Sequence, residues 1–245
     1  VRLILRAAAI VLGLIVCVPL HYLWRLSGSA SPWPPRFLGW VARCAGMRVR
    51  IAGTPLRRDV LFVANHLSWL DILLLGSAAR AAFVSKEEVA RWPLVGWLAG
   101  LNNTIFVARS ARGAVAGQVD ALRAALATGQ PVALFPEGTT DGGTEVLPFR
   151  PSLLASTMPP LPGLKVQPVA IDYGPAGAEI AWIGDESAAA NARRILSRKR
   201  TVPVTLTFLA PVDPHGAPNR KVLAEAARGE ILAALAASAG APDRL

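Results

Sequence analysis

The sequence has 245 residues, enough for one domain with a substantial buried core and an appended segment. Its two cysteines, Cys17 and Cys44, show no CxxC spacing, which excludes a disulfide framework and a cysteine metal cluster. Hydrophobic residues make up 53% and the mean hydropathy is +0.40, both high for a purely soluble domain, so membrane contact is the first expectation. The formal net charge of +10 suits an anionic lipid surface, nucleic acid or an anionic substrate, and composition does not choose among them.

The chain opens with an apolar segment. From Ala7 to Trp24 there is no charged residue. These roughly 18 residues would reach about 27 Å as a helix, close to the hydrocarbon thickness of a bilayer. Arg2 and Arg6 flank one end and Arg25 the other, and Tyr22 and Trp24 sit where an interfacial aromatic belt belongs. Residues 1–26 therefore read as a helical membrane anchor. A cleaved signal peptide and a buried core helix are the competing readings. The first is disfavoured because Tyr22-Leu23-Trp24-Arg25 is a poor approach to a cleavage site. Arg25, Arg36, Arg43, Arg48 and Arg50 follow, so the positive-inside rule predicts a body on the cytoplasmic side of the inner membrane. Residues 27–35 are rich in Ser and Pro and read as a linker, with ordered structure resuming near Arg36 and one domain over 36–245.

In that domain, short runs rich in β-branched residues fall at 47–52, 60–64, 81–85, 104–108, 132–135, 166–173, 179–183 and 202–209. Helical stretches are expected over 69–79, over 111–127 with a stop at Gly129, and over 220–237. Strands alternating with helices predict an α/β fold, with a largely parallel central sheet flanked by helices. The strand cores are almost wholly apolar, as strands covered on both faces should be.

Of the three histidines, His21 ends the anchor and His215 lies in a Pro/Gly loop. His66 directly follows the apolar run 60–64, in Asn65-His66-Leu67-Ser68-Trp69-Leu70-Asp71, where α/β folds build their sites. On one continuous helix, residues five apart diverge by roughly 140°. With His66 in a loop and Asp71 in the next helix's first turn, the side chains converge. Asp71 then fixes the imidazole tautomer and the other ring nitrogen is free to take a proton from a hydroxyl. The bland alternative makes Asp71 a helix-start residue favoured by the dipole. A second element, Phe135-Pro136-Glu137-Gly138-Thr139-Thr140-Asp141-Gly142-Gly143, follows the run 132–134 as a Gly-rich turn able to bind anionic oxygens, or as an ordinary strand-exit loop. A third is Arg109, at another strand exit, either a clamp for phosphate or carboxylate or a solvated charge.

Together these residues resemble the glycerolipid acyltransferases of the 1-acylglycerol-3-phosphate acyltransferase type. Asn65-His66 to Asp71 matches that family's NHxxxxD motif. Thr104 to Arg109 is similar to its GxxFxxR motif, Phe135 to Thr139 matches FPEGT, and Val166-Gln167-Pro168-Val169-Ala170 is similar to its proline-bearing strand. The resemblance runs from about Met47 to Tyr173, in the family's order. It implies a general-base mechanism: His66 activates the free hydroxyl of a lysolipid, Asp71 supports His66, and the oxygen attacks the thioester of acyl-CoA or acyl-carrier protein. The expected product is phosphatidic acid, made from 1-acyl-sn-glycerol-3-phosphate. No metal or other cofactor is implied. Arg109, Glu137, Gly138 and Thr139 are implied at the acceptor head group, Glu137 by bonding a hydroxyl or positioning Arg109 because it is itself anionic.

Two departures bear on that head group. Asn103 stands where the second motif opens with glycine, and Thr140 where arginine often follows FPEGT. The string through Val146-Leu147-Pro148-Phe149-Arg150 also resembles a subgroup that includes lyso-ornithine lipid acyltransferases, whose acceptors carry a carboxylate and no phosphate. Thioesterase and non-catalytic lipid-binding readings stand further off. Nucleic-acid binding rests on net charge alone, since the basic run from Arg193 to Arg200 lacks interleaved aromatics.

Overall fold

A computed structural model of the chain describes residues 1–107, 114–140, 142 and 145–239. Among them, seven strands form one sheet: β1 (Met47–Ala52), β2 (Val60–Ala64), β3 (Ala82–Lys86), β4 (Ile105–Val107), β5 (Val132–Leu134), β6 (Lys165–Asp172) and β7 (Val202–Phe208). The order across it is β1-β7-β6-β2-β5-β3-β4. The five strands from β6 to β4 run parallel, while β7 is antiparallel to β6 and parallel to β1. The sheet is therefore largely parallel, as the alternating pattern predicted. The carboxyl ends of the five parallel strands share one end of the sheet.

The helices are α1 (Arg2–Arg25), α2 (Trp33–Cys44), α3 (Leu70–Ala79), α4 (Glu87–Ala90), α5 (Val95–Leu101), α6 (Ala114–Ala127), α7 (Gly177–Ile180), α8 (Ala188–Ser197) and α9 (Arg220–Ala239). All five residues of β2 are buried. Alternate side chains leave a strand on opposite faces. Val60, Phe62 and Ala64 join a core with residues of α2, α3 and α8. Leu61 and Val63 join a second core with Leu122 and Leu126 of α6 and Leu223 and Ile231 of α9. Fully burying a Leu, Val or Phe side chain contributes on the order of 1.5–3 kcal/mol, so this central strand is pinned from both sides.

Two segments differ from the sequence expectations. Residues 179–183 form no strand: α7 covers Gly177–Ile180, and Trp182 then donates its backbone N–H to the Leu67 carbonyl at 2.9 Å. The physical reason is the lack of a free edge beside them, because β6 pairs with β2 and β7, and β7 with β1. Ordered structure resumes at Trp33, ahead of Arg36, because Pro34 and Pro35 stand in the first turn of α2, where proline is tolerated. Residues 111–113 of the expected second helical run, and Ala108 and Arg109 after β4, lie outside the described residues.

α1 is 24 residues long and apolar enough to cross a membrane. It also packs on the body. Arg2 donates to the Lys199 carbonyl at 2.8 Å and Arg6 to that of Leu196 at 3.2 Å. Trp40 of α2 donates its indole N–H to the Ala9 carbonyl at 2.8 Å, and its ring lies so close to Gly13 that a Cβ there would come within 2.4 Å. Ile4, Leu5, Val11, Leu12, Ile15 and Val16 face outward.

Candidate active site

β2 ends at Ala64, and the next two residues are held by the strands on either side. The buried Asn65 amide donates to the Ile171 carbonyl at 2.9 Å and accepts the Ile171 N–H at 2.8 Å, tying the exit of β2 to β6. The His66 backbone N–H donates to Glu137 Oε1 at 2.7 Å, tying it to the turn after β5. The chain then folds back, so that Asp71 in the first turn of α3 faces the imidazole. Asp71 Oδ2 lies 2.9 Å from His66 Nδ1 and accepts the backbone N–H groups of Leu67 at 2.7 Å and Ser68 at 2.8 Å. Its Oδ1 accepts the Tyr173 hydroxyl at 2.6 Å.

Asp71 is fully buried, and a buried carboxylate is tolerable only when its oxygens are this well supplied with donors. A carboxylate cannot donate, so the proton between the two side chains belongs to His66 Nδ1, and Nε2 presents a lone pair. Burial first, and then the charge and hydrogen bond of Asp71, push the Tyr173 phenol well above its ordinary range, so it remains a donor. The imidazole is stacked on Phe135, with centroids 4.1 Å apart and planes 15° from parallel, and Phe135 is stacked in turn on Phe83. The His66 side chain keeps 16% of its surface accessible, enough for a small reacting group to approach.

The turn after β5 supports this arrangement from below. Glu137 is buried, and its second oxygen accepts the Leu147 N–H at 3.0 Å, so the carboxylate braces two backbone segments. Gly138 adopts φ 73°, in the left-handed region that glycine favours, and the Arg150 guanidinium lies about 3.5 Å from where its Cβ would be. Thr139 is exposed at the rim. Thr140 donates its hydroxyl to the Trp182 carbonyl, closing the turn against the segment that also bonds Leu67.

Of the residues singled out from sequence, the structure thus brings His66 and Asp71 into contact and places Glu137 on the His66 backbone. Gly138 and Thr139 lie in the adjoining turn, and Arg109 lies outside the described residues. Tyr173 was missed; its one signal is a polar aromatic directly after an apolar strand. Arg150 was read only as part of a string, although it is the exposed cation beside Gly138.

Behind the His66–Asp71 turn lies an apolar cavity of about 340 Å³, walled by Trp69, Ile72, Phe83, Leu98 and Phe37 among others, and reaching Val18 of α1. Trp69 is fixed between turn and cavity: its indole N–H donates to Asn191 at 2.9 Å, and Asn191 donates to Glu186 at 2.7 Å. Hydrogen bonds from Arg194 and then Asn191 hold the Glu186 carboxyl down at about 2.

The family profile described as Acyltransferase matches residues 48–172. The lyso-ornithine lipid O-acyltransferase of Rhodobacter capsulatus is 36% identical over 94% of this chain and 88% of its own length. The 1-acyl-sn-glycerol-3-phosphate acyltransferase of Neisseria gonorrhoeae is also 36% identical, over 46% of this chain and 44% of its own. Among solved structures, the 1-acyl-sn-glycerophosphate acyltransferase of Thermotoga maritima matches with a TM-score of 0.65 and 25% identity, over 86% of this chain and 80% of that one.

Proposed function

The chain belongs to the acyltransferase family, and from that premise we propose that it moves a fatty acyl group from a thioester to the free hydroxyl of a lysolipid. His66 Nε2 takes the proton of the acceptor hydroxyl as its oxygen attacks the thioester carbonyl. The tetrahedral intermediate collapses, the C–S bond breaks, and the imidazolium returns its proton to the departing thiolate. Asp71 holds the tautomer that leaves Nε2 free and stabilises the positive imidazole. The observation that carries this reading is the 2.9 Å contact between His66 Nδ1 and an Asp71 carboxylate that three other donors fix in place. The scheme uses no metal or redox cofactor. Acyl-CoA or acyl-carrier protein is the donor, and the cavity behind Trp69 takes an acyl chain.

For the acceptor, lyso-ornithine lipid is the first choice. The Rhodobacter relative with that name aligns along nearly the whole chain, whereas the Neisseria relative aligns over less than half. Thr140, standing where an arginine would serve a phosphate, is committed to the Trp182 carbonyl. Arg150, and Arg109 by its motif alone, are the cations assigned to the carboxylate of such a head group. Lysophosphatidate is the second reading, supported by the Thermotoga fold match over most of the chain. The outward face of α1 lies in the bacterial inner membrane, with the catalytic body on the cytoplasmic side, where a bilayer lipid and a cytosolic thioester meet.

The test offers purified protein and His66→Ala a labelled acyl thioester with each lysolipid separately. Transfer to lyso-ornithine lipid that vanishes in the variant is the expected result. Transfer only to lysophosphatidate keeps the mechanism and moves the substrate. Release of free fatty acid without acylated lipid makes the protein a thioesterase, and equal activity in His66→Ala removes the general base.

A further inference from the structure

The turn that presents His66 and Asp71 is held from outside by residues 182–194. Trp182 donates its backbone N–H to the Leu67 carbonyl at 2.9 Å and its indole N–H to the Glu186 carbonyl at 2.7 Å. The Glu186 carboxylate accepts the Asn191 amide at 2.7 Å, and the Asn191 side-chain oxygen accepts the Trp69 indole N–H at 2.9 Å. These bonds close a circuit that leaves the catalytic turn at Leu67 and re-enters it at Trp69. An indole only donates and a carboxylate only accepts, so the two partners leave the Asn191 amide a single orientation. Arg194 locks the far side, with Nε and Nη2 on the two Glu186 oxygens at 3.0 and 2.8 Å and Nη2 also on the Ala181 carbonyl at 2.9 Å. The whole segment lies beyond residue 172, where the match to the family profile ends.

Asn191 has no exposed surface and shares the buried face of α8 with Ile195. Packing alone asks for an apolar side chain there. Exchanging both partners of a buried hydrogen bond for apolar groups of similar shape is nearly neutral for stability, so stability alone does not call for the Asn191–Trp69 bond. A fully satisfied polar network supplies something packing does not, a single fixed geometry. Here that geometry aims the backbone N–H groups of Leu67 and Ser68 at Asp71 Oδ2, since both belong to the turn that the circuit grips. We propose that Asn191 is a positioning residue for acyl transfer: through Trp69 it holds the catalytic turn where Asp71 meets His66 Nδ1. The proposal rests on the general-base role of His66 argued above.

The test assays Asn191→Leu, Trp69→Phe and the double variant on the full chain in lipid nanodiscs. The substrates are a palmitoyl thioester, on CoA or on carrier protein, and whichever lysolipid the wild-type chain acylates. Thermal unfolding establishes that each variant is folded at the assay temperature. Each single substitution should lower kcat by about tenfold or more, as a small displacement of a catalytic group does, with both KM values within about twofold of wild type. The double variant should lose no more than the worse single one, because both substitutions remove the same bond. Trp69→Phe keeps an apolar ring at the cavity wall and carries the kcat test alone if Asn191→Leu does not fold. Folded variants with wild-type kcat make Asn191 a core residue and overturn the proposal. So do losses confined to KM, which make Trp69 a substrate wall only, and losses that multiply in the double variant. His66→Ala separates this inference from its premise: full activity there removes the general base, whereas an inactive His66→Ala beside Asn191 and Trp69 variants of wild-type kcat removes only the positioning role.

Discussion

Asp71→Asn is the sharpest probe of the His66–Asp71 pair, because the structure says what it preserves. An asparagine with its carbonyl oxygen where Oδ2 lies still accepts the N–H groups of Leu67, Ser68 and His66, and its amide faces the Tyr173 oxygen, which can accept. Geometry and tautomer survive, and only the charge is removed. That charge acts when His66 becomes an imidazolium in the transition state. Two unit charges 3–4 Å apart attract by about 4–6 kcal/mol at an effective dielectric of 20. At about 1.4 kcal/mol per factor of ten, kcat should fall by roughly a thousand- to ten-thousandfold. The assay is thiol release from the acyl thioester at saturating acceptor, with circular dichroism and thermal unfolding to establish that the variant is folded. A folded variant losing less than about tenfold would refute the catalytic assignment and leave Asp71 as a helix-start residue.

Three further outcomes follow from the same contacts. Tyr173→Phe removes a hydrogen bond to a buried carboxylate and should cost about 1.5–3 kcal/mol of stability, read as a lower Tm, with kcat reduced more than the KM for acceptor is changed. Because the folded Tyr173 pKa is raised, its neutral form stabilises the fold fully below the unfolded value near 10 and progressively less above it; the Tm gap between wild type and Tyr173→Phe should therefore narrow from pH 9 to pH 11, and a constant gap would contradict the raised value. Glu137→Gln sets an amide N–H against a backbone N–H at His66 or Leu147, so Tm and kcat should fall while the acceptor KM stays within about twofold; a tenfold rise in KM at unchanged Tm would make Glu137 a head-group contact instead.

The parts of the fold legible in the sequence are those where one local pattern decides. Five consecutive apolar residues at 60–64 bounded by polar ones can only be a strand covered on both faces or part of a buried helix, and the short length selects the strand. The failures come where local pattern and tertiary opportunity part. Residues 179–183 include β-branched and aromatic residues, yet whether they pair depends on an open edge, which no local reading supplies. The pair Pro34-Pro35 was taken as a breaker, although proline breaks a helix only from inside it and opens one when placed first. α8 carries its own start signal, since Ser187 accepts the Ala190 N–H at 3.2 Å, yet it is absent from the helical runs expected from the sequence.

The site was legible for a different reason, and unevenly. His66 and Asp71 are five residues apart, so spacing alone could propose their meeting. Glu137 and Tyr173 reach the same turn across 71 and 102 residues. What joins them is strand order: β5 and β6 are the two neighbours of β2, so the loops leaving all three emerge side by side at one end of the sheet. The loop after β5 supplies the acceptor for the His66 backbone, β6 supplies the partner of Asn65, and the residue after it supplies the donor to Asp71. Read along the chain, the glutamate of FPEGT is a charged residue in a Gly-rich loop, and such residues suggest ligand contact. Placed beside β2, it is an acceptor for a backbone amide that would otherwise be buried unpaired. The two motifs therefore belong to one physical unit, in which the second positions the first, and a substitution in either should disturb the same imidazole.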